Sequence, residues 1–219
     1  MFMSESEPTV FIVDDNSAVL KGLRLLVRSL RMNVETYLSA QEFLDSYDPA
    51  RPGCLVLDVR MPGISGLELQ EKLRQRNISI PVIIMTGYGE VAVAVEAMKK
   101  NAMEFLEKPI NGQVLLDRIQ KAIAKDARIR QEQAVQKTVA SRLALLTSRE
   151  RQVMGLVIAG KLNKVIACEL GISPKTVEFH RSNIMKKMKV ESLAELVRLV
   201  IESGRIDIPP LVPHKNIVS

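Results

Sequence analysis

Several apolar runs of this 219-residue chain end on residues suited to handling charge. "TVFIV" at 9–13 leads into Asp14 and Asp15, "CLVL" at 54–57 into Asp58, and "PVIIM" at 81–85 into Thr86. A further run, "MEFL" at 103–106, is followed by Glu107, Lys108 and Pro109. If these runs are neighbouring strands of one sheet, three carboxylates, a hydroxyl and an ammonium meet at one edge. Carboxylates packed that closely repel, and one takes up a proton unless a cation joins them. An oxygen-only donor set suits a hard divalent ion such as Mg²⁺, which keeps waters that a phosphate can replace. Lysine is a compact point charge that suits phosphate oxygens. A lone "DD" after a strand is more often a solvated turn; the joint pattern is far more specific.

The elements needed to bring these residues together are legible as alternating patterns. The four runs above, with "NVETY" at 33–37, are separated by stretches of helical periodicity such as Val19, Leu23, Leu26, Val27 and Leu30. Strand and helix alternating five times predict a doubly wound α/β domain with a five-stranded parallel sheet. Ligands of such sheets bind beyond the carboxyl ends of the strands, where the acids and the lysine fall. From Gln113 to Met154 there is no glycine or proline, and the apolar spacing of Leu116, Ile119 and Ile123 thins after Ile129. The pattern predicts a helix that runs on as a polar connector, either a plain helix or a coiled-coil arm.

Beyond Thr147 the chain reads as a small all-α domain of short helices. "TSRE" carries a capping box, with Thr147 as N-cap and Glu150 three residues on. Gly160 breaks that helix, "KVIACEL" forms the next, and Ser173-Pro174 opens a third. A last helix is expected from about Ser192 to Glu202, and the proline-rich tail at 208–219 lies outside any core. Stepping about 100° per residue from Val177 turns Ile184 and Met188 inward with it. Lys175, Phe179, Ser182 and Lys186 then point outward, with Glu178 and Asn183 at the edges. A short helix, the tight "LGIS" turn and this basic outer face make a helix-turn-helix pattern, whose second helix reads the major groove of duplex DNA. An amphipathic helix with a solvated basic face is the plain alternative.

Charge distribution favours the DNA reading. Net charge is +6, but residues 1–126 carry 15 basic and 17 acidic residues, whereas residues 127–219 carry 16 and 8. A basic back half joined to a slightly acidic front half suggests a nucleic-acid partner for the former. The composition, 47% hydrophobic and 26% charged, is that of a chain with real cores, and its length suits two compact domains or one large one. No apolar run reaches the ~18 residues of a membrane span, so no membrane partner is expected. Cys54 and Cys168 make neither a disulfide framework nor a zinc site, and the polar start is no secretory signal. A cytoplasmic protein is expected.

Residues 8–126 resemble the receiver domain of two-component response regulators, through Asp14-Asp15, Asp58 followed by "RMPGISG", Thr86, Phe105 and Lys108-Pro109. The resemblance implies that Asp58 accepts a phosphoryl group from a sensor histidine kinase. Asp15, Asp58 and the backbone carbonyl of Arg60 bind Mg²⁺ by the same token, with Asp14 acting through water. Lys108, across a cis bond to Pro109, meets the phosphoryl oxygens. Thr86 and Phe105 become a switch pair that biases the surface around the fourth helix and the fifth strand. Relatives often have tyrosine at the aromatic position, so Phe105 adds no hydroxyl there.

Residues 143–207, through "SRERQV", "NKVIA", "ISPKTVEFH" and "KM", resemble a LuxR-type helix-turn-helix, and the order of the two domains is that of the NarL/FixJ class. The stretch at 127–142 is the helical linker between them. The resemblance implies DNA-backbone contacts from Lys164, Thr176 and Lys186, and base-edge contacts from Glu178, Phe179 and Ser182. Lys175 and Arg181 complete the expected DNA-contacting set. His180, toward the buried edge, is expected to orient the helix or touch a phosphate. A homodimer formed on phosphorylation and RNA polymerase are the further partners implied.

Two other readings compete. An aspartate-nucleophile phosphatase places its second acid two residues after the nucleophile, whereas Val59 and Arg60 follow Asp58 here. A receiver kept only as an interaction domain is disfavoured because all five receiver positions are present.

Overall fold

The computed structural model describes residues 7–87 and 102–202. Five short runs rich in Val, Ile, Leu and Phe become strands because such side chains pack well on a pleated surface. They are β1 (Thr9–Val13), β2 (Asn33–Tyr37), β3 (Gly53–Asp58), β4 (Val82–Thr86) and β5 (Glu104–Glu107), all parallel, in the order β2-β1-β3-β4-β5. Every residue of β1, β3 and β4 is buried, whereas the edge strands β2 and β5 are only partly covered.

The period of two along each central strand feeds two separate cores. Phe11, Val13, Leu55, Leu57 and Ile84 point to one face, and Val10, Ile12, Val56, Ile83 and Met85 to the other. Helices α2 (Ala40–Ser46) and α3 (Gly66–Gln75) cover the first face with Phe43, Leu69 and Leu73. Helices α1 (Ser17–Ser29) and α4 (Gly112–Ala144) cover the second with Leu23, Val27, Leu115 and Ile119. The helices after β1 and β3 start on fixed caps: Asn16 accepts from the amides of Ala18 and Val19, and Ser65 forms a capping box with Glu68. These caps set where the loops after β1 and β3 must end. The helix expected between β4 and β5 would fall at residues 88–101, and the tail at 208–219; both lie outside the described residues.

The chain divides after Arg130 into two compact units, and the 33-residue helix α4 contributes to both. In the first unit the buried Asp126 carboxylate accepts from the Gly53 amide at 2.9 Å and from Arg130 Nε at 2.7 Å. The Arg130 guanidinium also donates to the carbonyls of Pro49, Ala50 and Arg51. Residues 131–134 are exposed, and Val139, with Val135 and Leu143 beside it, joins the core of the second unit. The stretch expected as a polar connector is thus largely exposed, with contacts at Arg130 toward one end and Val139 and Leu143 toward the other.

The second unit holds α5 (Ser148–Ile158), α6 (Asn163–Leu170), α7 (Pro174–Met188) and α8 (Leu193–Glu202) around Val153, Ile166, Val177, Ile184, Met188 and Leu196. Gly171, at φ 62°, closes α6 in the left-handed conformation that glycine adopts at least cost. Glu150 is 3% exposed; its carboxylate accepts from the Thr147 amide at 2.8 Å and from Lys187 Nζ at 2.7 Å. The Lys187 bond holds the Glu150 carboxyl below its ordinary value of 4.5, against the opposing effect of burial and with help from the Thr147 cap. Because the folded value lies below the unfolded one, this stabilisation is complete above pH 4.5 and fades as pH falls through the folded value. Glu150→Gln is therefore expected to destabilise the second unit by about 1–3 kcal/mol at neutral pH. Amide exchange in α5 and α7 measures this, and the gap to the wild type should narrow below pH 4.5.

Candidate functional site

The strand order makes β1 and β3 neighbours, and the register pairs Val13 with Leu57, so the residues that follow leave the sheet together. Asp14 is fully buried and Asp58 is 5% exposed. Between them sits Lys108, which follows β5; its Nζ donates to Asp58 Oδ1 at 2.5 Å and to Asp14 Oδ2 at 2.8 Å. The Lys108 amide donates to the Thr86 carbonyl at 2.8 Å, which fixes the lysine backbone against the end of β4. The Lys108-Pro109 bond is cis. Asp14 Oδ1 accepts from the Asn16 amide at 2.9 Å, so the α1 cap and the acid brace each other.

Burial raises the Asp58 carboxyl above its ordinary value; Lys108 opposes this, while the charges of Asp14 and Asp15 add to it. For Lys108, burial alone would lower the value, and the two carboxylates outweigh it, leaving the ammonium held above its ordinary range. Asp58 is thus a desolvated acid whose ionised form depends on a nearby cation. The loop after it is tightly constrained. The Val59 amide donates to the Met85 carbonyl, the Gly66 amide donates to the Val59 carbonyl, and a Cβ on Gly66 would stand 2.2 Å from the Asp58 carbonyl oxygen. Only glycine fits at that approach.

Of the residues expected to hold a cation, Asp14 and Asp58 share Lys108 as a partner, and Asp15, though exposed, is near enough for its charge to act on Asp58. Among the described residues no three acidic, histidine or cysteine side chains cluster as metal ligands. The Lys108 ammonium lies between the two buried acids and neutralises them. The donors are nonetheless all hard oxygens, and two of the acids are stripped of water, a combination that fits a small divalent cation. Thr86 ends β4 and is 3% exposed. Phe105 lies on edge strand β5 opposite Ile84 and is 43% exposed, beside the Arg118–Glu104 ion pair.

In the second unit α7 presents the face that its spacing predicts. Val177, Ile184 and Met188 are buried; Lys175, Glu178, Phe179, Ser182 and Lys186 are exposed, as is Lys164 on α6. The Ser173 hydroxyl caps α7 at the Thr176 amide and lies 2.8 Å from the Thr176 hydroxyl. His180 is half-buried, and its Nδ1 is enclosed without a hydrogen-bond partner. Arg181 donates to Asn163 Oδ1 at 2.9 Å, so it pins the start of α6 to α7. The sequence reading missed Asn163, Arg142 and Lys187. Arg142 donates to the Met188 carbonyl at 2.8 Å, and Lys187 reaches the Glu150 cap. No local pattern marks them, since each partner lies far along the chain.

The comparisons agree with this geometry unit by unit. A family model described as the response regulator receiver domain matches residues 10–120, and one described as bacterial regulatory proteins, luxR family, matches residues 144–200. The chain is 45% identical over 202 residues to the transcriptional regulatory protein FixJ of Azorhizobium caulinodans, covering 92% of this chain and 95% of that protein. It is 44% identical over 198 residues to the response regulator protein TmoT of Ectopseudomonas mendocina, covering 90% of each. Among solved structures, the response regulator StyR matches with a TM-score of 0.82 and 48% identity, covering 90% of this chain and 100% of that one. Full-length FixJ from B. japonicum matches with a TM-score of 0.56 and 41% identity over 92% of this chain and 100% of that one.

The charge balance at the sheet edge gives a direct test. Lys108→Met leaves burial and the Asp14 charge unopposed, so Asp58 is expected to titrate at a higher pH than in the wild type. Carbon-detected NMR of the aspartate carboxyls reads this, and an unchanged or lower midpoint would show that Lys108 does not hold the charge.

Proposed function

The chain belongs to the two-component response regulators that join a receiver domain to a LuxR-type DNA-binding domain, and we propose that Asp58 is the residue on which its phosphorylation turns. The observation that carries this reading is the Lys108 ammonium shared between two buried carboxylates at the carboxyl edge of the sheet. A carboxylate oxygen of Asp58 attacks the phosphorus of a phosphohistidine on a sensor histidine kinase. The new O–P bond forms as the P–N bond breaks, and the imidazole leaves. Lys108 turns from the carboxylates to the phosphoryl oxygens, where its charge meets the negative charge of the transferred group. Asp15, Asp58 and the Arg60 carbonyl are the groups that would hold Mg²⁺, with Asp14 behind a water. When bound, Mg²⁺ supplies further neutralisation of the phosphoryl oxygens. The phosphoryl group stays on the chain, so no outside substrate is turned over.

The Thr86 hydroxyl, at the next strand end, turns to a phosphoryl oxygen, and the exposed Phe105 ring moves in behind it. That pair biases the surface around β5 and the segment before it toward pairing with a second copy. Two DNA-binding units then meet a two-part site, and avidity tightens weak single-unit binding. Lys164, Thr176 and Lys186 hold phosphates; Glu178, Phe179 and Ser182 meet base edges, Glu178 by accepting from a cytosine amino group and Phe179 by packing on a thymine methyl. Lys175 and Arg181 add positive charge beside them, and His180 orients the helix. Work on promoters puts the protein in the cytoplasm, with RNA polymerase as the partner that receives the signal.

Acetyl phosphate with Mg²⁺ should label the full chain once, on Asp58, and shift it from monomer to dimer in sedimentation. Asp58→Asn is expected to abolish both the label and the shift. Labelling that survives the substitution would place the acceptor elsewhere.

A further inference from the structure

The DNA-reading helix α7 is fixed at its start by the Ser173 cap and Pro174, and along its flank by Arg181 on Asn163. Its far end is held differently. The chain turns at Lys189 in the left-handed conformation, and the amides of Lys189 and Val190 satisfy the carbonyls of Lys186 and Met185. The Met188 carbonyl instead accepts from Arg142 Nη1 at 2.8 Å. Arg142 lies near the end of α4, the helix that starts at Gly112 in the receiver. Around Arg142 in the chain, Val139 is fully buried and Leu146 is 4% exposed, in the same core as Met188 and Val190. The turn that carries the guanidinium is therefore anchored in the core of the second unit. A cation at a helix C-terminus also complements the helix dipole, which favours the contact further.

Resting on the reading of α7 as the DNA-reading helix, we propose that Arg142 is a positioning residue for DNA recognition. It ties the carboxyl end of α7 to the last turns of α4 within the second unit, so the tilt of the reading face is set against the core of that unit. A helix of 15 residues is about 22 Å long, so a small displacement at Met188 is a tilt at Lys175 and Phe179. Base-edge contacts are lost when side chains shift by about 1 Å, while phosphate contacts from flexible lysines survive. Loss of Arg142 thus weakens selection of sequence more than attraction to DNA.

The test uses the full chain with beryllofluoride and Mg²⁺. One probe is a duplex enriched by the wild type from a random-site library; the other is the same duplex scrambled. Arg142→Gln is expected to lose roughly 5–30-fold in affinity for the enriched duplex. Affinity for the scrambled duplex and the salt dependence should stay unchanged, and amide exchange should quicken at the end of α7. Arg142→Lys, which can still donate to the Met188 carbonyl, should recover most of the affinity. Wild-type affinity in a folded Arg142→Gln protein overturns the proposal. So does an equal loss on both duplexes with a salt slope smaller by about one, the mark of a direct phosphate contact. If Arg142→Gln unfolds the second unit, Arg142→Lys decides: a folded lysine variant that loses affinity equally on both duplexes also overturns it. A wild type that enriches no sequence would instead remove the DNA-reading role of α7.

Discussion

One ammonium between two desolvated carboxylates governs the receiver edge. Asp14 and Asp58 are brought together by the pairing of β1 with β3, and both have lost most of their water. Two ionised acids buried side by side are costly unless a cation joins them, and Lys108 is that cation. The arrangement stabilises the edge, yet it leaves the lysine with a divided allegiance. Any group that brings more negative charge, with its own counter-ion, competes for Lys108. The Lys108 amide is bonded to the carbonyl of Thr86 at the end of β4, so the lysine backbone and that strand end are mechanically linked.

Much of this was legible in the sequence because the physics is local or periodic. The near-continuous apolar runs of β1, β3 and β4 announced buried central strands, and the parallel fold then required their carboxyl ends to meet. The inward face of α7 followed from the spacing of Val177, Ile184 and Met188. The charge arithmetic was visible, but the exact pairing was not: Lys108 bonds to both Asp14 and Asp58, while Asp15 is exposed. What sequence could not supply is the set of contacts made by long side chains to distant backbone. Arg130 reaches a carbonyl 79 residues away, Arg142 one 46 away, and Lys187 a carboxylate 37 away. An arginine or lysine in a solvated pattern looks the same whether it meets water or a carbonyl.

Those long contacts explain how a weakly apolar helix can join two units. The middle of α4 is exposed at residues 131–134, where no core packing holds the helix. Order comes from its ends, through Arg130 and Asp126 on one side and Val139 and Arg142 on the other. The second unit shows the same economy. Its core is small, and buried polar contacts such as Glu150 with Thr147 and Lys187 fix where α5 and α7 lie. The exposed residues of α7, Lys175, Phe179, Ser182 and Lys186, take no part in this, because the inward residues, the caps and the contacts of Arg181 and Lys187 hold the helix in place.

The most direct measurement is DNA affinity of the full chain, across a random-site library, with and without beryllofluoride and Mg²⁺. The wild type is expected to dimerise and to bind its enriched sequences at least tenfold more tightly when the phosphate mimic is present, by the arithmetic of two linked sites. Asp58→Asn should show neither change. Equal affinity and an unchanged oligomeric state in the wild type with and without the mimic would contradict the coupling of the Asp14–Lys108–Asp58 edge to DNA binding.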